Sequence, residues 1–313
     1  MNSKIKNSLK FLLIFSVMFS CKKEEPKTSE NLVGSDTISV KNSQEESFKP
    51  IDTTCSAKNT TQDYILSLQW YQKKTEKDAT NDLPERNDRL YDDYSKIRNQ
   101  YIACLNNAES KILEEYVNYY DSESDSYKFP ENVKKLKSEL EKAGLEFWEI
   151  GEGYTEIRSL PNHYYSIFKD KVTADYETYI YQLSKEEEVL YQGDAALNIS
   201  WKELGNRTIF WENFVKKYPK SPLVSNAKEF YNNYLYDYLF GLDNTSTFNL
   251  IGEVNYGLNE ENKMEFRRFL KENPNSNTAK KVKQLIELFD SKISYEEIQK
   301  RINLEERNWE KYP

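Results

Sequence analysis

The chain has 313 residues, of which 31% are charged and 14% are aromatic. A disordered chain would lack so many rings, and nine Gly and nine Pro are too few for a sandwich or barrel built on many tight turns. The net charge of −8 argues against nucleic acid as a partner, and a single His excludes a histidine-based metal cluster.

The first twenty residues have the pattern of an export signal. Lys4, Lys6 and Lys10 form a positive segment, and an apolar run at 11–19 follows it. A helix over that run rises only about 14 Å, which is too short for a bilayer core of about 30 Å. We therefore assign residues 1–20 to a signal peptide and not to a membrane-spanning helix.

Ser20 and Cys21 come directly after the apolar run. A small residue followed by Cys at this place resembles the lipobox of bacterial outer-membrane lipoproteins, although Met18 and Phe19 are bulkier than the usual lipobox residues. The resemblance implies cleavage between Ser20 and Cys21 and a diacylglycerol on the Cys21 thiol. The alternative is an ordinary secretory signal with an unrelated Cys.

Residues 21–57 are polar and nearly free of aromatic residues, which predicts a lipid anchor followed by a disordered tether. The segment 22–25 (KKEE) is similar to a signal that places lipoproteins on the surface of some Gram-negative bacteria. The expected location is therefore the outer membrane, with exposure at the cell surface. Without the signal the net charge is −11, so the lipid and not the protein surface is expected to hold the chain at the membrane.

An N-terminal helical bundle is predicted for residues 58–144. Its helices are expected at 61–77, 84–120 and 131–143. The longest has apolar residues at steps of three and four, which is typical of one buried helical face. These positions are Leu90, Tyr94, Ile97, Tyr101, Cys104, Ala108, Ile112, Tyr116 and Tyr119.

One small β-hairpin and a connecting helix are predicted for residues 145–199. Two apolar segments flank the turn 151–153 (GEG), as in a hairpin. An isolated hairpin is marginally stable in water, so we expect this one to lie on helices. The connecting helix is expected at 162–183.

The C-terminal part, residues 200–313, contains a weak repeat. FVKKYPKSP begins at Phe214 and FLKENPNSN at Phe269, and in each copy a Pro-bearing corner separates two predicted helices. The helices are expected at 200–217 and 222–240, and again at 259–272 and 277–293. They predict antiparallel helical hairpins. Residues 214–227 resemble the linker of tetratricopeptide-like repeats in bacterial envelope lipoproteins, which implies binding of partner proteins.

Two thiols besides Cys21 are present, Cys55 and Cys104. An even pair in an exported chain predicts a disulfide, worth roughly 3–4 kcal/mol by the chain-entropy model. It would fix the end of the tether to the long helix. The alternative is that Cys104 is a small buried apolar residue and Cys55 is free.

Few residues suggest chemistry. His163 is the only His and is expected to have a structural role. The acidic segment 121–132 departs from the calcium-loop pattern, and the run 185–188 (KEEE) is typical of a solvated helix face. Paired acids for glycan chemistry cannot be chosen by spacing alone. Four aromatic residues lie off the main apolar faces and are candidates for a surface that stacks on sugars: Tyr120, Trp148, Tyr154 and Tyr181.

The sequence therefore predicts a mainly α protein with no assigned catalytic residue, metal site or cofactor. Its predicted function is that of a lipid-anchored, non-catalytic lipoprotein that binds or scaffolds another envelope protein. The alternative is an envelope lipoprotein that binds or hydrolyses a glycan.

Overall fold

The computed structural model describes residues 48–80, 83–251, 255–291 and 293–304. Within these ranges it contains eleven α-helices and five two-stranded antiparallel sheets, which confirms the predicted mainly α class. No helix in these ranges is long and apolar enough to span a bilayer. Ser20, Cys21 and most of the predicted tether lie outside the described residues.

The helices follow one another along the chain with short connections. They are α1 (Thr61–Asp78), α2 (Pro84–Ala108), α3 (Ser110–Glu115), α4 (Glu131–Lys142), α5 (His163–Phe168), α6 (Ala174–Glu186), α7 (Trp201–Lys217), α8 (Val224–Phe240), α9 (Glu260–Glu272), α10 (Asn277–Asp290) and α11 (Tyr295–Ile302). Hairpins of adjacent strands lie between them. The strands are β1 (Tyr120–Asp121), β2 (Ser126–Tyr127), β3 (Leu145–Gly151), β4 (Tyr154–Ser159), β5 (Gln192–Gly193), β6 (Ala196–Leu197), β7 (Gly241–Leu242), β8 (Thr245–Ser246), β9 (Phe248–Ile251) and β10 (Asn255–Leu258).

Only one of the five hairpins, β3–β4, is predicted from the sequence. Three of the others, β1–β2, β5–β6 and β7–β8, have strands of two residues, too short for an alternating pattern to be read. All of them occupy connections between helices, so they leave the helical architecture unchanged.

Two apolar cores are formed, and α2 contributes to both. The first core lies among α1, α2, α3, α4 and β3–β4 and includes Tyr101 and Cys104. The second is larger, includes Tyr91 and Tyr94 and extends through α5 to α11. The N-terminal half of the apolar face predicted for this helix therefore packs in the second core, and its C-terminal half packs in the first.

The helix predicted at 84–120 is interrupted, and α2 ends at Ala108. Glu109 leaves the helical conformation (φ −104°, ψ 16°), and α3 and a short 3-10 turn continue the chain. Close to this point the Asn106 side chain donates to the Ile157 carbonyl on β4 (2.9 Å) and accepts from the Ile157 amide (2.7 Å). This pairing with a strand distant in sequence coincides with the end of the helix.

The helix predicted at 162–183 is also divided, into α5 and α6. The Asp88 carboxylate on α2 accepts from the Thr173 amide (2.9 Å) and hydroxyl (2.8 Å), directly before α6 begins. Asp170 adopts a left-handed backbone conformation (φ 61°), which a continuous helix would not allow. A contact between α2 and Thr173 thus accompanies the start of α6.

The four helices predicted in the C-terminal repeat are present as α7 to α10. Ser276 caps α10 by accepting from the Ala279 amide (2.9 Å), whereas Ser221 accepts from Leu223 (3.2 Å) before α8 begins. The two helical pairs are joined by Glu212 on α7. Its carboxylate accepts from two amides at the start of α10, Asn277 at 2.6 Å and Thr278 at 2.9 Å, where a negative charge is favoured.

Cys55 and Cys104 form a disulfide, which attaches the N-terminal segment to α2. The contacts of this segment begin before residue 58, the predicted start of the bundle. The Ile51 amide donates to Ser67 (3.2 Å), and the Tyr101 hydroxyl donates to the Ile51 carbonyl. The last residues of the predicted tether are therefore held against α1 and α2.

Candidate functional site

A cleft of about 810 Å³, partly open to solvent, lies between α2, the β3–β4 hairpin and the C-terminal end of α6. Its volume falls within the roughly 300–1,000 Å³ of typical ligand pockets. Residues directly after α6 and at the start of α8 complete its lining. Tyr179, Ile180, Leu183 and Ser184 of α6 form one wall.

The hairpin forms another wall because its two faces differ. Phe147 and Ile157 pack on one face, against the first core. Side chains alternate along a strand, so Trp148 on β3 and Glu156 and Arg158 on β4 lie on the opposite face. Trp148 pairs with Glu156 across the hairpin, and all three side chains line the cleft.

Arg158 connects the hairpin to the end of α6. Its guanidinium lies 3.3 Å from the centre of the Trp148 ring and bonds to Glu146 at 2.8 Å. The same guanidinium donates to the backbone carbonyl of Glu187 (2.9 Å), just beyond α6. A stacked and ion-paired arginine fixes the orientation of the indole ring.

Three carboxyl groups line the cleft: Asp92, Glu156 and Glu187. Burial raises the pKa of each of them. The pKa of Glu187 reaches about 7, since burial and neighbouring carboxylates outweigh the opposing effect of Arg158. Asp92 accepts a hydrogen bond from the Tyr176 hydroxyl (2.8 Å).

Four tyrosines belong to the lining, Tyr91, Tyr164, Tyr179 and Tyr191, and all of them except Tyr164 are buried residues of the second core. The rings of Tyr91 and Tyr164 meet edge to face, with centroids 5.5 Å apart, so they form a fixed corner. Asn99 and Gln192 add amide groups. The walls thus combine aromatic surface, carboxylates and amides.

The run 185–188 is only partly the predicted solvated helix face: Lys185 and Glu188 are exposed and pair with each other (2.7 Å), whereas Glu186 and Glu187 face the protein. Glu186 is only 2% exposed and accepts hydrogen bonds from Trp211 Nε1 (3.0 Å) and the Tyr234 hydroxyl (3.0 Å). These donors from α7 and α8 compensate for the loss of water around the carboxylate. Glu187, the next residue, lines the cleft.

His163 is buried and is not among the residues that line the cleft, although its ring contacts that of Tyr164. Its Nε2 lies 2.7 Å from the Tyr94 hydroxyl. Burial, together with the nearby Arg98 guanidinium, lowers the pKa of His163 to about 3, so the imidazole is neutral at physiological pH. The position is consistent with the expected structural role.

Of the four aromatic residues predicted for a sugar-stacking surface, only Trp148 lines the cleft. Tyr120 and Tyr181 are exposed elsewhere, and Tyr154 lies near the tip of the hairpin. The acidic segment 121–132 begins with the β1–β2 hairpin, in which Asp121 pairs with Lys128. Among the described residues no group of three or more His, Cys, Asp or Glu could hold a metal ion.

No protein-family model, curated protein or solved structure matches this chain. The features that bear on function are those of the cleft itself. Trp148 and Tyr164 are half-buried at the cleft, and the Arg158 guanidinium covers one face of the Trp148 ring. The carboxylates and amides of the lining offer hydrogen bonds. This combination suits a polar ligand that also carries apolar surface.

Proposed function

We propose that this chain is a lipid-anchored envelope protein that binds a glycan in the cleft between α2, β3–β4 and α6. The observation that carries the proposal is the wall formed by Trp148, Glu156 and Arg158 beside Glu187. A sugar ring has an apolar face that packs on aromatic side chains and hydroxyls that bond to carboxylates and amides. The lipobox-like segment at Ser20 and Cys21 supplies the proposed outer-membrane address.

This proposal keeps the non-catalytic binding role and changes the expected site. The sequence points to the C-terminal hairpins as a surface for an envelope protein. The α7–α10 helices, however, bury polar groups such as Glu212 against one another, whereas the cleft is lined by Glu156 and Glu187, whose side chains make no hydrogen bond with a described residue. The cleft is therefore the better-supported ligand site.

Glycan hydrolysis is a second candidate function, favoured by the Glu187 pKa of about 7. A carboxyl group with such a pKa can donate a proton near neutral pH, as a glycosidase acid must. Incubation of the protein with the glycan it binds, followed by mass spectrometry of the products, tests this function. Cleavage that disappears in Glu187→Gln would establish hydrolysis, and unchanged glycan would exclude it for that substrate.

Replacing Trp148 with Ala is expected to weaken glycan binding at least tenfold. The variant loses the largest ring of the cleft, and the Arg158 guanidinium loses the ring on which it stacks. The measurement is a titration of the whole chain in detergent against glycans selected on an array. Trp70→Ala is the matched control, since Trp70 is also half-buried but lies on α1, away from the cleft. Its affinity should equal that of the wild type.

Binding of no glycan by the wild type would refute the proposal and return the protein-scaffolding function of the α7–α10 hairpins to first place. Equal affinity of wild type and Trp148→Ala would show that glycans bind elsewhere. Thermal unfolding of both variants would identify any loss of affinity that comes from misfolding.

A further inference from the structure

A second, smaller cavity lies at the tip of the β3–β4 hairpin, beside the turn of the β5–β6 hairpin. This tip cavity has a volume of about 290 Å³ and is lined by residues 150–152 and 154 of the first hairpin and 192–195 of the second. Ile150 and Gln192 line both the tip cavity and the cleft, so the two are neighbours along one surface. The surface of the proposed glycan site therefore continues beyond the cleft, toward the tip of the hairpin.

The tip cavity has two large apolar side chains that are exposed. Tyr154 is 64% exposed, the highest value among the large apolar side chains that the structure describes, and Ile150 is 41% exposed. Tyr154 packs on no other ring within the described ranges, and its hydroxyl makes no hydrogen bond there. Single exposed apolar residues are ordinary in proteins, but these two line one cavity that adjoins the proposed ligand site. They are therefore available to a ligand that extends out of the cleft.

Tyr154 lies on the same face of the hairpin as the wall of the cleft. On β4 it alternates with Glu156 and Arg158, both of which line the cleft, and residues two apart share one face of a strand. Trp148 is opposite Glu156, so the backbone positions of Trp148 and Tyr154 lie about 7 Å apart along the hairpin. Ile150 has no partner on β4, because a bulge shifts the register there, and a bulge can redirect a side chain. One sugar ring cannot cover both aromatic rings, whereas a chain of several sugar units can.

Contacts between turns fix the walls of the tip cavity. Gly151 has a positive φ (95°), and a Cβ placed on it would lie 3.3 Å from the Gly193 Cα, so the turns of the two hairpins approach closely. Asn244 holds the β5–β6 turn: its amide donates to the Ala195 carbonyl (2.9 Å), and its side chain donates to the Asp194 carbonyl (2.6 Å). A ligand therefore meets a surface that is already formed, which lowers the ordering cost of binding.

We infer that the ligand is an extended glycan chain of several sugar units, one part of which lies in the cleft at Trp148 while another part lies in the tip cavity on Tyr154. This inference rests on the proposed function. The Gln192 side chain makes no hydrogen bond with a described residue, so its amide can bond to sugar hydroxyls where the two cavities meet. A mono- or disaccharide would occupy only part of this surface and would leave Tyr154 in water.

The test measures affinity as a function of chain length, by calorimetry on the whole chain in detergent. The probes are linear oligomers of glucose, of mannose and of N-acetylglucosamine, each with two and with six units. Within a series that binds, the hexamer is expected to bind at least tenfold more tightly than the dimer, because only the hexamer reaches the second ring. Tyr154→Ala should reduce affinity for the hexamer about tenfold and leave affinity for the dimer unchanged, whereas Trp148→Ala should weaken the binding of both.

Tyr120→Ala is the matched control. Tyr120 is also an exposed tyrosine of a hairpin (45%), but it lines neither cavity, so its replacement should change neither affinity. Equal affinities of wild type for dimer and hexamer, or an unchanged hexamer affinity in Tyr154→Ala, would overturn the inference and leave the glycan-binding function in place.

A peptide is the other extended chain that this surface could accept. A hexapeptide of glycine and serine that binds more tightly than every hexasaccharide, and loses affinity in Tyr154→Ala, would assign the tip cavity to a peptide and overturn the inference. Failure of every glycan to bind would refute the proposed function itself.

Discussion

Replacing Arg98 with Met is expected to lower the free energy of unfolding by about 3–5 kcal/mol. Arg98 lies on α2, is fully buried and makes no ion pair with a described residue. Its guanidinium donates to Ser159 Oγ (2.7 Å) and to the carbonyls of Ala143 (2.9 Å) and Gly144 (2.7 Å). It thereby joins α2 to the chain that leaves α4 and to the end of β4. Removing it leaves buried acceptors without donors, which is more costly than the loss of packing alone.

Chemical denaturation of the two proteins measures this effect. Arg98→Lys should recover only a small part of the loss, because an ammonium cannot reproduce the planar fork that reaches two carbonyls and a hydroxyl. Arg89→Met, the same change at an exposed position of the same helix, should alter stability by less than about 0.5 kcal/mol. A loss in Arg98→Met no larger than that in Arg89→Met would contradict the role assigned to Arg98.

Removing the Cys55–Cys104 disulfide is expected to lower the free energy of unfolding by about 3–4 kcal/mol. The bond closes a loop with a sequence separation of 49, so its loss gives the unfolded chain more conformational freedom. It also releases the segment around Ile51 from α1 and α2. The double variant Cys55→Ser/Cys104→Ala tests this expectation, because Ala suits the buried site of Cys104.

Wild-type protein treated with reductant is the control and should unfold at the same denaturant concentration as the double variant. Untreated wild type should require more denaturant than either. Coincident unfolding curves for oxidised and reduced wild type would show that the cross-link adds no stability.

Much of the helical framework follows from local features of the sequence. The apolar spacing places α1, α2 and α4, and Ser200, Ser276 and Ser294 cap the helices that follow them, as S-x-x-E and Pro-Ser patterns predict. The breaks at Glu109 and before Thr173 do not follow from local sequence. They accompany Asn106 pairing with β4 and Asp88 bonding to Thr173, contacts between segments distant in sequence.

The cleft could be predicted only in part. Trp148 is recognisable because it interrupts the polar face of a predicted hairpin, and Glu156 and Arg158 alternate with apolar residues on the next strand. Glu187 is not recognisable, since it belongs to a run of acids that resembles a solvated surface. Its environment depends on α6 ending against the hairpin, where Arg158 holds its backbone. The spacing of apolar residues indicates which face of a helix or strand is buried. Whether a run of charged residues is also buried depends on which helices and strands pack against it.

Hydrogen–deuterium exchange of the whole chain in detergent, with and without a saturating glycan, tests the cleft as the ligand site most directly. If the glycan binds in the cleft, we expect slower exchange in β3–β4 and at the C-terminal end of α6, with no change in α9 to α11. Protection confined to the α7–α10 hairpins, or no protection at a concentration that saturates binding, would contradict it.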